Sequence, residues 1–541
     1  MDGGRTRKRA AALIGGALFA LFASFGWQME HDGASRPLRA LLVAALLTLP
    51  AAALLTALYE GAWRRLLPRR TGTPRVPRPY RTGQAALLLF ACYVPMFLIA
   101  CPGSFAYDVP FQLRQVFTGA YSTHHPLIHT LLLGGCVALG RALGSIDLGA
   151  ALYTLVQMAL LSACFALTCA SIARRCGARA ARRSLAFFAL YPLHMLFSVN
   201  ATKDVLFGGC FALTLALALE LAQTQPERAD GRLVAGLAAV GALMMLLRNN
   251  AVYAAAVWLL ALIPAGLRRR GLLRGALLAI ALSLAVNSAL TAATGAVRGD
   301  LSEMLSWPIQ QLARARLTQS ENLTQEECAE IDALMPGEAW WEYDPTISDP
   351  VKFAFDTERM KADPGGFLRL YVRVGLKCPK AYLDAVLALT LPFYYPYSRY
   401  MTSGYYLQMG ISTEQTGEWC GFDWIASRSL FPRALASLSW RFGAQGAMQI
   451  PVVGWLFNTG VIVWVMLALV LREAYFGRWR RFAVALLPVL LWGTYLLGPV
   501  MAGRYAYPFV CALPVLAAGP GFEEKGVPER AHEDRENHQE G

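Results

Sequence analysis

A carboxylate, a pair of imidazoles and several cations fall in the polar breaks between long apolar runs of this sequence. The first break reads CPGSFAYDVPFQLRQVFTGAYSTHHPLIHT and carries Asp108, His124 and His125, with His129 one turn further on. A carboxylate at the edge of a low-dielectric medium has a tunable proton affinity. Once ionised, Asp108 can take a proton from an acceptor hydroxyl or hold a divalent cation. The plainer role is a helix cap, because an acid shortly before a proline, here Pro110, is a common N-terminal signal. Neighbouring helical positions point about 100° apart, so at most one of His124 and His125 faces a shared site. The other is expected to bond backbone or a lipid phosphate.

Three further breaks carry cations. SVNATKDVLFGG places Asn200, Lys203 and Asp204 between two apolar runs. Ionisable groups at such a depth are costly unless paired or functional; Lys203 can grip a phosphate or simply snorkel, with Asp204 capping the next helix. Arg248, Asn249 and Asn250 interrupt MMLL and AVYAAAVW, and GPVMAGRYAYPF brings Arg504, Tyr505 and Tyr507 to the start of the last apolar run. Arg504 suits a phosphate or a carboxylate, or a plain helix anchor. A long polar segment adds SEMLSWPIQQLAR and SDPVKFAF, with Gln310, Gln311 and Arg314 on neighbouring turns of a helix. Its aromatic residues, Trp340, Trp341, Tyr394, Tyr395 and Tyr397 among them, can stack on sugar rings or form an interfacial belt.

The elements that must position these residues are membrane spans. Of 541 residues 56% are hydrophobic and 16% charged, where a soluble chain carries about a quarter charged. Stretches such as Ala40–Tyr59, Gly275–Gly295 and Pro451–Leu471 lack any charge and can cross about 30 Å of hydrocarbon. The formal charge of +14 sits in compact clusters between apolar runs, at Arg5–Arg9, Arg64–Arg81, Arg174–Arg183, Arg268–Arg274 and Arg472–Arg481. Such clusters are topology signals that stay in the cytoplasm, so a nucleic-acid partner is unnecessary. The first cluster precedes an apolar run with no convincing small-x-small cleavage site before Trp27, and a second span follows, which predicts an uncleaved anchor.

Reading apolar runs against basic clusters gives about twelve spans, near 10–27, 40–59, 83–101, 148–172, 184–200, 203–222, 233–248, 250–264, 275–293, 451–471, 482–500 and 503–520, with both termini cytoplasmic. The apolar run 126–143 is left out of that count, because a crossing there would put Arg174–Arg183 outside. It is expected to lie in the outer interface. The fold class is therefore an all-α polytopic membrane protein with outer interfacial helices and a small extracytoplasmic helical domain. Residues 1–82 form a two-span extension with a basic loop, and 83–293 a transmembrane core with its first outer loop at 102–147. Residues 294–450 form the extracytoplasmic segment, 451–520 the C-terminal spans, and 521–541 a polar tail expected to be disordered in the cytoplasm. Cys328, Cys378 and Cys420 fall in the polar segment, where one disulfide is open, and no CxxC metal spacing occurs.

This layout resembles the membrane-embedded GT-C glycosyltransferases, the superfamily of protein O-mannosyltransferases and aminoarabinose transferases, over about residues 83–520. YDVPFQLRQ followed by HHPLIHT is similar to that family's outer loop with an essential acid and a His-Pro element, and GRYAYP to an Arg-Tyr-x-x-Pro pattern near its last helices. NATKD, LRNNAVY, SWPIQQLAR and SDPVK also resemble an uncharacterised bacterial subgroup. The resemblance implies an inverting transfer of a sugar from a polyprenyl-phosphate donor to a cell-envelope acceptor, on the outer face of the cell membrane. Asp108 then takes the place of the loop acid, acting as base or metal ligand, and Lys203 and Asp204 fall in the second outer loop where some members carry charged site residues; His124, His125, Arg248, Gln310 and Arg504 are further substrate-binding candidates. Tyr107 precedes Asp108 where the family's loop carries an acid pair, so whether a divalent cation sits at Asp108 stays open. The rival expectations are a transporter or flippase of lipid-linked oligosaccharide, a surface-glycan polymerase, and a noncatalytic assembly subunit.

Overall fold

Helix Lys203–Gln223 shows how this sequence builds its interior. Between Asp204 and Glu220 it carries no charge, and it is sown with Gly208, Gly209, Ala212, Ala216 and Ala218. Small residues let neighbouring backbones approach closely; a methyl group on Gly208 would lie 2.9 Å from Cys511 Sγ and from the Tyr507 ring. Every side chain from Asp204 to Ala222 is buried. Helices Ile146–Cys176, Gly231–Leu247, Trp479–Leu496 and Tyr507–Ala517 pack around it. The computed structural model describes residues 2–62, 80–105, 108–223, 231–263, 270–299, 301–396, 398, 425, 427–432 and 450–518.

In chain order the bundle begins with Asp2–Asp32, Pro37–Ala57 and Thr82–Ile99. The short helices Asp108–Thr118 and Leu127–Ala142 follow, then Ile146–Cys176, Ala178–Leu190 and Pro192–Ser198. After the central helix come Gly231–Leu247, Ala251–Leu262 and Arg270–Thr294, and beyond the polar segment Thr459–Tyr475, Trp479–Leu496 and Tyr507–Ala517. Among the described residues six helices, Gly3–Asp32, Pro37–Gly61, Thr82–Ile99, Ile146–Cys176, Lys203–Gln223 and Gly271–Thr294, are long and apolar enough to cross a membrane. Shorter apolar helices are Leu127–Ala142, Gly231–Leu247 and Ala251–Leu262. Peripheral helices turn leucines outward, Leu46 at 77% and Leu87 at 69% exposure. Apolar surface on that scale belongs in lipid. The chain is an all-helical, multi-pass membrane protein.

The apolar segments read from sequence all fall on helices, with boundaries that proline and capping residues move. Segment 184–200 is split at Tyr191, because Pro192 has no N–H for the preceding turn and starts a new helix. Segment 451–471 becomes regular helix only at Thr459, where Asn458 Oδ1 accepts from Val461 N at 2.9 Å. Segment 503–520 opens with a 3-10 turn, Gly503–Ala506, before helix Tyr507–Ala517. The run 126–143 forms helix Leu127–Ala142, which packs on Ile146–Cys176 and on Asp108–Thr118.

Residues 301–396 fold into a separate set of short helices around Ile309, Leu312, Ile331, Trp340, Val351 and Val374. A capping box fixes one of them, Thr324 accepting from Glu327 N while Glu327 accepts from Thr324 N. This unit is tied to the turn between the first two helices, Arg314 Nη2 donating to Gly33 O at 2.8 Å and Ser35 N to Asp384 Oδ1 at 2.9 Å. At the other end of those helices Lys8 pairs with Glu60 at 2.5 Å, and Arg7 reaches Tyr475 O. There Glu473 gathers the buried guanidinium groups of Arg472 and Arg481. The polar unit and these basic clusters therefore occupy opposite ends of the bundle. Cys328 and Cys378 are free thiols; Cys420, Tyr397 and the tail 521–541 lie outside the described residues.

Candidate active site

Four chain segments, far apart in sequence, deliver charge to one end of the bundle. Asp108 opens helix Asp108–Thr118, Lys203 and Asp204 open the central helix, Arg248 follows helix Gly231–Leu247, and Arg504 sits in the turn before Tyr507–Ala517. The central helix contacts the helices beside Arg248 and Arg504, so packing of its small-residue faces sets the spacing of three of the four.

The contacts are ionic throughout. Lys203 Nζ donates to Asp108 Oδ2 at 2.6 Å, and Arg504 Nη2 lies 3.4 Å from Asp108 Oδ1. Arg504 also turns to the second acid, with Nε 3.3 Å from Asp204 Oδ2. Asp204 is fully buried; its other oxygen is ion-paired with Arg248, and the Thr202 hydroxyl donates to Oδ2 at 3.2 Å. Arg248 is fixed on every side. Its Nε donates to Asn250 Oδ1, and its guanidinium carbon lies 4.4 Å from the ring centre of Tyr495 and 4.1 Å from that of Tyr505. Asn250 in turn donates to Thr494 Oγ1 at 2.8 Å.

These cations determine the state of Asp108. Burial pushes its carboxyl up, but Arg504 and Lys203 outweigh that and hold it well below the usual carboxylate range. Asp108 is thus ionised and tightly partnered. His125 is buried beside it, and burial drives its imidazole down to about 3 against the pull of Asp108, so it is neutral. Its Nδ1 is buried with no hydrogen-bond partner among the described residues. His124 is exposed and stacks edge-on against His125 at 4.5 Å. Only His125 of the pair is buried; the two sit in a turn ahead of helix Leu127–Ala142, so the turn and not the helical spacing expected from sequence separates them.

The loop that carries the pair is pinned from outside. Thr123 N donates to Val297 O, Asn249 Nδ2 to Thr123 O and Gly299 N to Thr123 Oγ1. A second set of bonds pins the first loop to the Lys203 turn, Ser104 N donating to Val199 O and Ala201 N to Ser104 O, both at 2.8 Å. Beneath them runs a buried relay. His129 joins Gln112 to the Tyr153 hydroxyl, Tyr153 donates to Gln157 Oε1, and Gln157 Nε2 donates to the carbonyls of Ser198 and Asn200. His129 is therefore a structural strut. Gln112, Tyr153 and Gln157 escape notice in sequence, although a Tyr and a Gln four apart on an otherwise apolar helix signal a polar stripe.

Most of the residues singled out in sequence meet here: Asp108, Lys203, Asp204, Arg248 and Arg504 are bonded to one another, with His125 alongside. Gln310 does not join them. Its Nε2 donates to Asp344 O at 2.9 Å and Ile347 O at 2.7 Å, inside the helical unit of residues 301–396. That turn pairs with the chain just before Arg504, Ser348 N donating to Pro499 O at 2.8 Å. Gln311 and Arg314 likewise bond within that unit, and Arg314 also reaches the turn between the first two helices. The sequence pattern missed Tyr495, whose ring closes over Arg248.

The donor set fits an anion better than a divalent cation. Among the described residues no three His, Cys, Asp or Glu side chains gather as metal ligands, and both carboxylates already hold cationic side chains. Three cations face two carboxylates, so the cluster keeps one positive charge in excess.

Residues 118–533 match a family of unknown function (DUF6020). The chain belongs to this family. The stretch shared with DUF6020 takes in Lys203, Asp204, Arg248 and Arg504, while Asp108 lies just ahead of it. No curated protein and no solved structure matches the chain.

Proposed function

We propose that the chain is a membrane glycosyltransferase of GT-C type that moves a sugar from a polyprenyl-phosphate donor to a cell-envelope acceptor on the outer face of the cell membrane. Asp108 is the base. The acceptor hydroxyl oxygen bonds to the anomeric carbon as the bond from that carbon to the phosphate oxygen breaks. The hydroxyl proton passes to Asp108, and the electron pair leaves with the phosphate, whose charge Lys203 and Arg504 offset. In this reading the chain crosses about twelve times with both termini cytoplasmic, and helix Leu127–Ala142 lies in the outer interface.

One observation carries the proposal: an ionised acid, Asp108, held directly by Lys203 and Arg504 in a cluster with surplus positive charge, at the end of the bundle away from the basic clusters. A phosphate-linked donor needs both a base and cations within one pocket's reach. A transporter needs the cations but not the acid, and favours polar groups at the midplane. The test is mass spectrometry of cell-surface glycans in a deletion strain. A glycan signal lost on deletion and restored by the wild-type gene, but not by D108N, is expected. Full restoration by D108N excludes Asp108 as the base.

A further inference from the structure

We infer that Asp108 is a locked base: a phosphate ligand must draw Lys203 and Arg504 off its two oxygens before the carboxylate can take a proton, so the ligand is also the trigger. This rests on the reading above of the cluster as a phosphate and base site.

Both oxygens of Asp108 are taken. Lys203 bonds one and Arg504 faces the other. A carboxylate so neutralised has little affinity for a proton, because each proton it gains must displace a cation from its own oxygen. The same two cations are the ones an arriving phosphate would engage, since Arg248 is already committed to Asp204 and Asn250 between two tyrosine rings. Phosphate and Asp108 therefore compete for Lys203 and Arg504.

Asp204 makes the exchange mechanically simple. Its Oδ2 lies 3.3 Å from Arg504 Nε, within ion-pair range though not in hydrogen-bonding geometry, while Nη2 faces Asp108. The guanidinium can thus swing between Asp108 and a ligand without losing its buried partner. Lys203 is a flexible stem with three donors, and its side chain is 14% exposed, enough to reach a ligand entering from the surface. The positive charge in excess becomes neutral when one negative charge arrives. His125 Nδ1, buried without a hydrogen-bond partner among the described residues, is a further polar contact open to the ligand or the freed carboxylate.

The consequence is economical for a transferase at a membrane surface. Without donor, Asp108 does not deprotonate water or a stray hydroxyl. With donor bound, the carboxylate regains its basicity next to the bond to be broken, and it delivers its proton to solvent once the phosphate leaves and the cations return.

The test is binding of farnesyl phosphate, with inorganic phosphate as a second arm, to the full chain in nanodiscs by calorimetry. Asp108→Asn keeps the shape of the side chain but removes the competitor. Farnesyl phosphate should bind D108N at least about tenfold more tightly than wild type, while K203Q binds more weakly than wild type. Unfolding midpoints of all three proteins check that the comparison is between folded chains. Equal or weaker binding to D108N overturns the lock while leaving the phosphate site standing. Failure of wild type and D108N alike to bind either probe overturns the phosphate site itself. Inorganic phosphate binding as tightly as farnesyl phosphate assigns the site to a free anion and contradicts the lipid-linked donor.

Discussion

Asp108 and Arg504 stand 396 residues apart in the chain and meet at 3.4 Å between Oδ1 and Nη2. The contact joins the start of helix Asp108–Thr118 to the turn before helix Tyr507–Ala517, and Lys203 closes it from the central helix at 2.6 Å. The charge cluster therefore records the packing of the whole bundle, and the effects of substitution divide according to which acid is touched.

Asp204 is the structural acid. It is fully buried and compensates both Arg248 and Arg504. Removing one partner of a buried ion pair leaves an uncompensated charge, at a cost of about 3–5 kcal/mol. Asp204→Asn should lower the thermal midpoint of the purified protein substantially, whereas Asp108→Asn, beside a more accessible Lys203, should lower it far less. Equal midpoints for the two variants would contradict this division of roles.

The pH dependence follows from the direction of each shift. The Asp108 carboxyl is depressed in the folded protein, so its ion pairs contribute stability that is complete above the unfolded value of about 3.9 and is lost as pH falls through the folded one. His125 is also depressed, to about 3. The unfolded chain takes up that proton first, so stability falls as pH drops below about 6.5. His125→Phe should lessen the decline in melting temperature between pH 6.5 and 4, the remainder coming in part from His129, which burial likewise drives down to about 3. A decline as steep as that of wild type would show that His125 is not the group responsible.

The Gln157 amide holds the turn that presents Lys203, through the carbonyls of Ser198 and Asn200 at 3.1 and 3.0 Å. Gln157→Leu removes that donor from the Ser198 carbonyl, at about 1–3 kcal/mol, while Asn200 O keeps its bond from Thr202 N. Hydrogen exchange of the 198–204 backbone should accelerate in this variant more than that of the helix Arg270–Thr294. Unchanged protection at 198–204 would mean that the turn is held by other contacts.

Gln310 acts within the helical unit of residues 301–396. Its hydrogen bonds go to Asp344 and Ile347 carbonyls, so Gln310→Leu should lower the thermal midpoint while leaving the KM for a polyprenyl-phosphate donor within about twofold of wild type, a change of under 0.5 kcal/mol. A KM raised tenfold at unchanged stability would place Gln310 at the substrate after all.

Much of this arrangement was legible in the sequence because charges stand out against apolar runs. Asp108, Lys203, Arg248 and Arg504 each interrupt or terminate such a run; only His125 of the His pair is buried, but a turn ahead of helix Leu127–Ala142, not helical spacing, separates the two. The partners were not legible. Nothing local tells that Lys203 turns to Asp108 while its neighbour Asp204 turns to Arg248, because that choice is made by the packing of helices distant in sequence. Gln310 reads as a surface amide on its own helix, and only the fold of Asp344–Ile347 against it reveals a backbone clamp. Helix ends shifted where Pro192 and Asn458 act, since hydropathy alone does not register a missing N–H or a side-chain cap.

The central claim is that Asp108 is the base of a transfer reaction. The direct measurement is single-turnover release of polyprenyl phosphate from a panel of polyprenyl-phosphate sugars by the full chain in nanodiscs, comparing wild type with D108N. The account predicts a rate lower by about 10²–10⁴ in D108N, with an unfolding midpoint close to that of wild type. Release at the wild-type rate by D108N would contradict it.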